Sequence, residues 1–265
     1  MNIQMIATDL DMTLLRSDKT VSEYTLKTLE ACKQHGIKVA FVTARSECEC
    51  IQYINAINLD GIISNRGAIV RGDDIIIRRS IIDAKTSNKL LLMGLGQPHV
   101  KYIYVYTNSG YFSNLPACKH DPSWGTYNPD MYTDFSQGLD CGAYKITFEV
   151  SDDKAADAIT AAFPELDAVR FTGEPYVSFA NKSANKWEGV KALAAHFNVS
   201  TKDVAAFGDD YVDIEMLREC GVGVAVGNAI CKAKAVADYI CDTNDNDGVA
   251  RWIHENLLFY WNEMV

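Results

Sequence analysis

Asp9 and Asp11 stand two residues apart in the run Asp9-Leu10-Asp11-Met12-Thr13, directly after the apolar stretch at residues 3–8. A stretch of that length and composition suits a buried strand of a parallel sheet better than a helix, which puts both carboxylates at the strand's C-terminal exit. Two carboxylates there can divide the work of displacing a phosphate ester. One attacks phosphorus and forms an aspartyl-phosphate, splitting a hard displacement into two easier ones. The other protonates the leaving oxygen and then takes a proton from the hydrolytic water. Both need opposing charge, which a hard cation with oxygen ligands supplies. Acidic turns after strands are also common as plain solvated features, so the pair alone leaves the choice open.

Three further segments carry residue types that this chemistry lacks. Thr43 ends the apolar run at residues 37–42, in Val42-Thr43-Ala44-Arg45. Its hydroxyl and the backbone N–H groups that follow, from Ala44 on, can hold phosphate oxygens at a helix start, or the threonine simply caps that helix. Lys186, in Asn185-Lys186-Trp187, can set a fixed positive charge against the phosphate and Asp9, although most lysines only solvate a surface. Gly208-Asp209-Asp210-Tyr211-Val212-Asp213 follows the apolar run at residues 204–207. Ligands of open parallel sheets bind outside the carboxyl ends of the strands, so Asp209 is the natural extra metal ligand there. Asp213, one helical turn on, can face the same way. The alternative is a helix N-terminus enriched in acids.

The elements that must position these residues alternate. Strands are predicted at residues 3–8, 37–42, 61–64, 204–207, 222–226 and 239–241. Helices are predicted from Ser22 as N-cap to a stop at Gly36, from after Thr43 to about residue 57, and at residues 185–197, 209–220, 230–236 and 249–258. This order argues for βαβ units and a Rossmann-like, doubly wound parallel sheet with helices on both faces. The middle has another texture: residues 100–106 and 143–150 alternate aromatic or β-branched with polar side chains, as half-exposed strands do. Residues 114–142 between them are rich in Pro, Gly, Asp and Tyr. A second α/β unit inserted at about residues 81–180 accounts for the change.

Length and charge bound what such a molecule can do. The 265 residues lie between one large domain and two modest ones. A net charge of −10 repels a polyanion or a lipid surface, so neither nucleic acid nor membrane is an expected partner, whereas a small phosphorylated metabolite is not excluded near local cations. Eight cysteines are scattered without a disulfide pattern and read as reduced thiols. Cys48 and Cys50 form a C-x-C with no second Cys/His pair to complete a zinc set. The first residues lack the basic flank of a signal peptide, and no apolar run reaches the roughly 18–20 residues of a membrane span, so a soluble cytoplasmic protein is expected.

At these residues the chain resembles the haloacid dehalogenase superfamily, in particular its Cof-like phosphatases, over nearly its whole length. D-L-D-M-T-L-L is similar to the superfamily's first motif, V-T-A-R to its second, Lys186 to its third and G-D-D-Y-V-D to its fourth. The resemblance implies a catalytic core of residues 1–80 and 181–265 with an inserted α+β cap domain at residues 81–180. It implies a magnesium-dependent phosphatase of small phosphomonoesters, sugar phosphates foremost, acting through an aspartyl-phosphate. Asp9 is then the nucleophile and Asp11 the general acid/base, while Asp9, the backbone carbonyl of Asp11, and Asp209 bind Mg2+. Thr43 with Ala44, and Lys186, hold the phosphoryl group; Asn65 in S-N-R-G-A lies near it; Asp213 supports the site. Residues 245–250 look like the family's D-G-V-A segment. In the cap, Tyr111, His120, Trp124, Tyr127, Asn128 and Tyr176 are candidates to meet the leaving group, or equally the cap's own core and surface loops.

Three departures stand out: Arg66 is inserted between Asn65 and Gly67, Trp187 replaces a glycine, and Val212 stands where the family pattern has asparagine. Val212 removes a hydrogen-bonding group beside Lys186 and Asp213 and keeps in view a silenced relative that binds a phosphorylated metabolite without turnover. Within the same chemistry, transfer of the phosphoryl group to a second hydroxyl in place of water is the other alternative.

Overall fold

Met5, Ile6, Ala7 and Thr8 have no solvent exposure. A strand buried on both faces must lie inside a sheet covered on both sides, and the computed structural model, which describes residues 2–120, 128–171 and 173–258, places it there. The strands in chain order are β1 (Met5–Thr8), β2 (Lys38–Val42), β3 (Gly61–Ser64), β4 (Ile69–Gly72), β5 (Ile75–Arg79), β6 (Val100–Thr107), β7 (Gly110–Ser113), β8 (Lys145–Val150), β9 (Leu166–Arg170), β10 (Tyr176–Asn181), β11 (Val204–Gly208), β12 (Val222–Ala225) and β13 (Tyr239–Ile240). The helices are α1 (Glu23–Gln34), α2 (Glu47–Ile57), α3 (Ala84–Leu95), α4 (Asp153–Ala162), α5 (Lys186–His196), α6 (Ile214–Glu219), α7 (Cys231–Val236) and α8 (Gly248–Ile253). The chain divides into two compact units, one running to Arg78 and resuming at Asn185, the other Arg79–Ala184.

The first unit is built on an eight-stranded sheet in the order β13-β12-β11-β1-β2-β3-β4-β5. The strands from β13 to β3 are parallel, and β4 runs antiparallel to β3. Side-chain alternation along β1 shows why helices cover both faces. Ile6 joins the cluster of Leu29 and Cys32 of α1, Tyr53 of α2 and Trp252 of α8. Met5 and Ala7 join Val190 and Leu193 of α5 and Met216 of α6. Thr8 lies level with both Phe207 of β11 and Phe41 of β2, so the chain leaves these three neighbouring strands at the same end. That shared end positions the site.

The second unit is a five-stranded antiparallel sheet in the order β7-β6-β8-β10-β9. Ile103, Val105, Ile146, Phe148, Val177 and Phe179 form a core with Leu90 and Leu91 of α3 and Ile159 of α4. The alternate positions are polar or aromatic: Tyr104 packs against Tyr111 and Tyr176, and Lys145 Nζ lies 4.0 Å from the ring centre of Tyr106. No helix among the described residues is long and apolar enough to cross a membrane.

Two local expectations are corrected. The helix expected over residues 209–220 is only α6, because the carboxylate of Asp213 folds back onto the backbone N–H groups of Asp209 and Asp210 and shapes a separate turn first. The helix expected directly after Thr43 begins at Glu47, where Ser46 is the N-cap and Glu49 returns its carboxylate to the Ser46 N–H at 2.6 Å.

Candidate active site

Asp9 follows β1 and donates its N–H to the carbonyl of Phe207 at 3.0 Å, which ties it to β11. Its side chain is buried and meets Lys186, the first residue of α5, whose start is capped by Asn185 accepting from the Glu188 N–H. Lys186 Nζ lies 2.8 Å from Asp9 Oδ1 and 2.6 Å from Asp213 Oδ1. A lysine only 2% exposed is tolerable because it is paired. Burial works against its charge, but Asp213 and Asp9 outweigh that and hold its pKa above the ordinary lysine value.

Asp213 is fully buried and its acceptor capacity is in use: Oδ2 receives the N–H groups of Asp209 and Asp210 at 3.0 and 3.1 Å. Gly208 makes this approach possible, since a Cβ there would stand 2.6 Å from the Asp213 carboxyl carbon. One oxygen from each of Asp9, Asp209 and Asp213 lies within 4.8 Å of the others. Three carboxylates around one ammonium leave excess negative charge. Burial first, then the neighbouring charges of Asp213 and Asp209, raise the pKa of Asp9 well above the usual carboxylate range despite Lys186. The same forces push Asp209 up to about 6, opposed by the Thr13 hydroxyl, which donates to its Oδ1 at 2.7 Å. Oxygen ligands with surplus negative charge fit a hard divalent cation. With Asp213 committed to Lys186 and to backbone, Asp9 and Asp209 are the side chains that would hold it.

Asp11 has a different environment. Between it and Thr13 the backbone turns through Met12 at φ 58°, and the Asp11 carboxylate meets Arg45, with Nε 2.7 Å from Oδ2 and Nη2 2.5 Å from Oδ1. Lys19 Nζ adds a contact at 2.9 Å. Burial raises its pKa, but the hydrogen bonds and charges of Arg45, then Lys19, outweigh it and hold Asp11 below the usual range.

Thr43 is buried, donates its N–H to the Ile63 carbonyl at 2.8 Å, and accepts the Arg45 N–H on its hydroxyl at 3.1 Å. It therefore stands in the strand-to-helix loop, neither at the start of α2 nor as its cap; Ala44 follows it there. Asn65 is buried, left-handed at φ 49°, and bonded through its N–H to the Arg45 carbonyl at 2.7 Å, while its side-chain oxygen has no hydrogen-bond partner among the described residues. Arg66 is also buried and left-handed, with its N–H on the Thr43 carbonyl at 3.0 Å. Gly67 follows because a side chain there would strike the backbone of Asn185. Asp9, Lys186, Asp209 and Asp213 thus form one cluster, and Thr43, Ala44 and Asn65 occupy adjoining strand-end loops.

The departures have physical accounts. Val212 costs Asp213 nothing, since Lys186 and two backbone N–H groups already serve it. Trp187 packs against the cluster of Met5 and Val190, with Lys191 Nζ 5.5 Å from its ring centre. Sequence reasoning missed Arg45, Lys19 and Thr13 as partners of the acidic groups. Arg45 was legible as a cation in V-T-A-R, but nothing in its spacing names Asp11. In the second unit, Tyr111 and Tyr176 flank Tyr104, and Asn128 accepts the Asp130 N–H at 3.0 Å. His120 closes the short turn after Pro116, and Trp124 and Tyr127 lie outside the described residues.

Residues 6–253 match the haloacid dehalogenase-like hydrolase family, and the chain belongs to it. It is 29% identical to the Bacillus subtilis stress response protein YhaX, across 96% of this chain and 93% of that one. It is 24% identical to the 5-amino-6-(5-phospho-D-ribitylamino)uracil phosphatase YcsE of the same bacterium, across 97% of each. Among solved structures, a subclass IIB sugar phosphatase of the superfamily superposes with a TM-score of 0.78 at 21% identity, covering 95% of this chain and 98% of that one. The fold and the family are those the motifs imply.

Proposed function

We propose that this hydrolase is a magnesium-dependent phosphatase of small phosphomonoesters, sugar phosphates foremost, working through an aspartyl-phosphate on Asp9. The observation that carries the reading is the buried Lys186 shared between Asp9 and Asp213 beside Asp209. A solvated acidic turn has no reason to bury an ammonium among three carboxylates. Relatives that are a ribitylaminouracil phosphate phosphatase and a sugar phosphatase support the substrate class.

Asp9 attacks phosphorus, and the ester oxygen departs with a proton from Asp11, which must first exchange Arg45 and Lys19 for the leaving group. Lys186 keeps Asp9 in place and faces the phosphoryl oxygens with positive charge, and Thr43, Ala44 and Asn65 orient them. Asp9, the Asp11 carbonyl and Asp209 would hold magnesium, which when bound would offset the charge of the anionic phosphate and the anionic nucleophile. Water then attacks phosphorus with Asp11 as base, which frees Asp9. The inserted unit selects among leaving groups. Val212 gives the silenced-relative reading little support, because the partners of Asp213 are in place without an asparagine.

The test is phosphate release across sugar phosphates, nucleotides and phosphorylated cofactors, with magnesium and with excess chelator. Release from sugar phosphates that chelator stops and magnesium restores is the expected result. Undiminished release in chelator would remove the metal from the reading.

A further inference from the structure

The loop that carries Asp11 and Thr13 holds a backbone shape its own residues do not favour. Met12 sits at φ 58° and ψ 7°, the left-handed region in which any Cβ is crowded. The Met12 carbonyl accepts a hydrogen bond at 2.7 Å from Nδ2 of Asn228, which lies in the loop after β12. Asn228 Oδ1 in turn accepts the Asn244 N–H at 2.9 Å, which fixes the amide's orientation: reversed, it would set oxygen against oxygen and N–H against N–H. Asn244 is buried and donates Nδ2 to the Leu15 carbonyl at 3.0 Å, so both ends of the turn are held from one side.

The loop bearing Asn228 also reaches the other acidic segment. Ile230 donates its N–H to the Asp209 carbonyl at 2.9 Å, and Thr13 donates its hydroxyl to Asp209 Oδ1 at 2.7 Å. A closed circuit therefore runs from Asp209 through Ile230 and Asn228 to Met12, and back through Thr13. We propose that Asn228 is a positioning residue for hydrolysis: it holds Met12 in its left-handed turn and thereby sets the Asp11 backbone and the Thr13 hydroxyl against Asp209. The proposal rests on the reading of Asp9, Asp11 and Asp209 as the reacting and cation-holding groups, but its test separates the two.

Asn228→Ala removes the donor, and Asn228→Asp keeps the shape while replacing the donor by an acceptor. For each full-length variant the readouts are kcat and KM for phosphate release from the best substrate of the panel, magnesium Kd by calorimetry on metal-free protein, and Tm. Losing one ordinary hydrogen bond predicts that kcat falls and magnesium Kd rises about three- to tenfold, with KM changed less than about twofold. A simple tether between loops would lose Tm instead. The decisive comparison repeats Asn228→Ala in a Met12→Gly background, where glycine adopts the turn without strain and the substitution should change kcat by less than about twofold. An equal loss in both backgrounds, no loss in either, or a loss confined to Tm would overturn the assignment. A wild type that binds no magnesium would end the metal reading, and the kcat comparison between backgrounds would still decide the role of Asn228.

Discussion

Asp9 and Asp11 are the same residue type two positions apart, yet the fold gives them opposite surroundings. Asp9 is buried among carboxylates with one shared ammonium, and its pKa is raised. Asp11 is partly exposed, gripped by Arg45 and Lys19, and its pKa is lowered. The pair shows that environment, not spacing, drives the pKa values of two carboxylates in opposite directions. The structure holds Asp11 as an ion-paired carboxylate, and the proposed role as proton donor would require it to leave Arg45.

The sharpest way to break this comparison is to neutralise each member in turn. Asp9→Asn should reduce turnover of every substrate by at least about a hundredfold, because only the attacking charge is lost. Asp11→Asn should cost about 10²- to 10⁴-fold on alkyl phosphates, which need a protonated leaving oxygen, and much less on p-nitrophenyl phosphate, which does not. Equal losses on both esters would show that the two groups do not divide the work.

Arg45→Gln tests what holds Asp11 low. Without the guanidinium, burial is less opposed and the Asp11 pKa rises. The decline of kcat on the alkaline side that comes from losing its proton then moves to higher pH, and an unmoved profile would contradict the pairing.

The third effect concerns the acidic cluster. Asp209 is raised to about 6, so the folded metal-free protein binds a proton there more tightly than the unfolded chain, and ionising it costs stability as pH rises through about 4 to 6. A cation that replaces the proton should bind about tenfold more weakly at pH 5 than at pH 7. The rise in Tm on adding magnesium should accordingly be larger at pH 7, and a rise independent of pH would contradict the shift. Smallest of all, Val212→Asn should alter kcat by less than about threefold, since the hydrogen bonds it would supply to Asp213 are already made. A larger gain would show that Val212 does cripple the site.

What the sequence discloses about this site follows strand ends. Asp9, Thr43 and Asp209 are legible because each follows an apolar run short enough to be a buried strand, and such strands end on one edge of a parallel sheet. Lys186 is legible only through its family resemblance, because nothing local distinguishes it from a surface lysine. The grip of Arg45 and Lys19 on Asp11, the reach of Thr13 to Asp209 and the brace of Asn228 on Met12 depend on a single left-handed residue, Met12, that no periodicity announces. The fold of Asp213 back onto Gly208, Asp209 and Asp210 likewise escapes a helical reading of residues 209–220, since an acidic helix start and a carboxylate cradle have the same composition.

The central claim is that Asp9, and not Asp11, takes the phosphoryl group. Its most direct test is rapid acid quenching of the enzyme with a radiolabelled phosphate ester, followed by borohydride reduction and mass mapping of the peptide that spans both residues. Label on the protein in the first turnover, with Asp9 converted to homoserine and Asp11 intact, is the predicted result. A burst of product with no labelled protein, or reduction at Asp11, would contradict it.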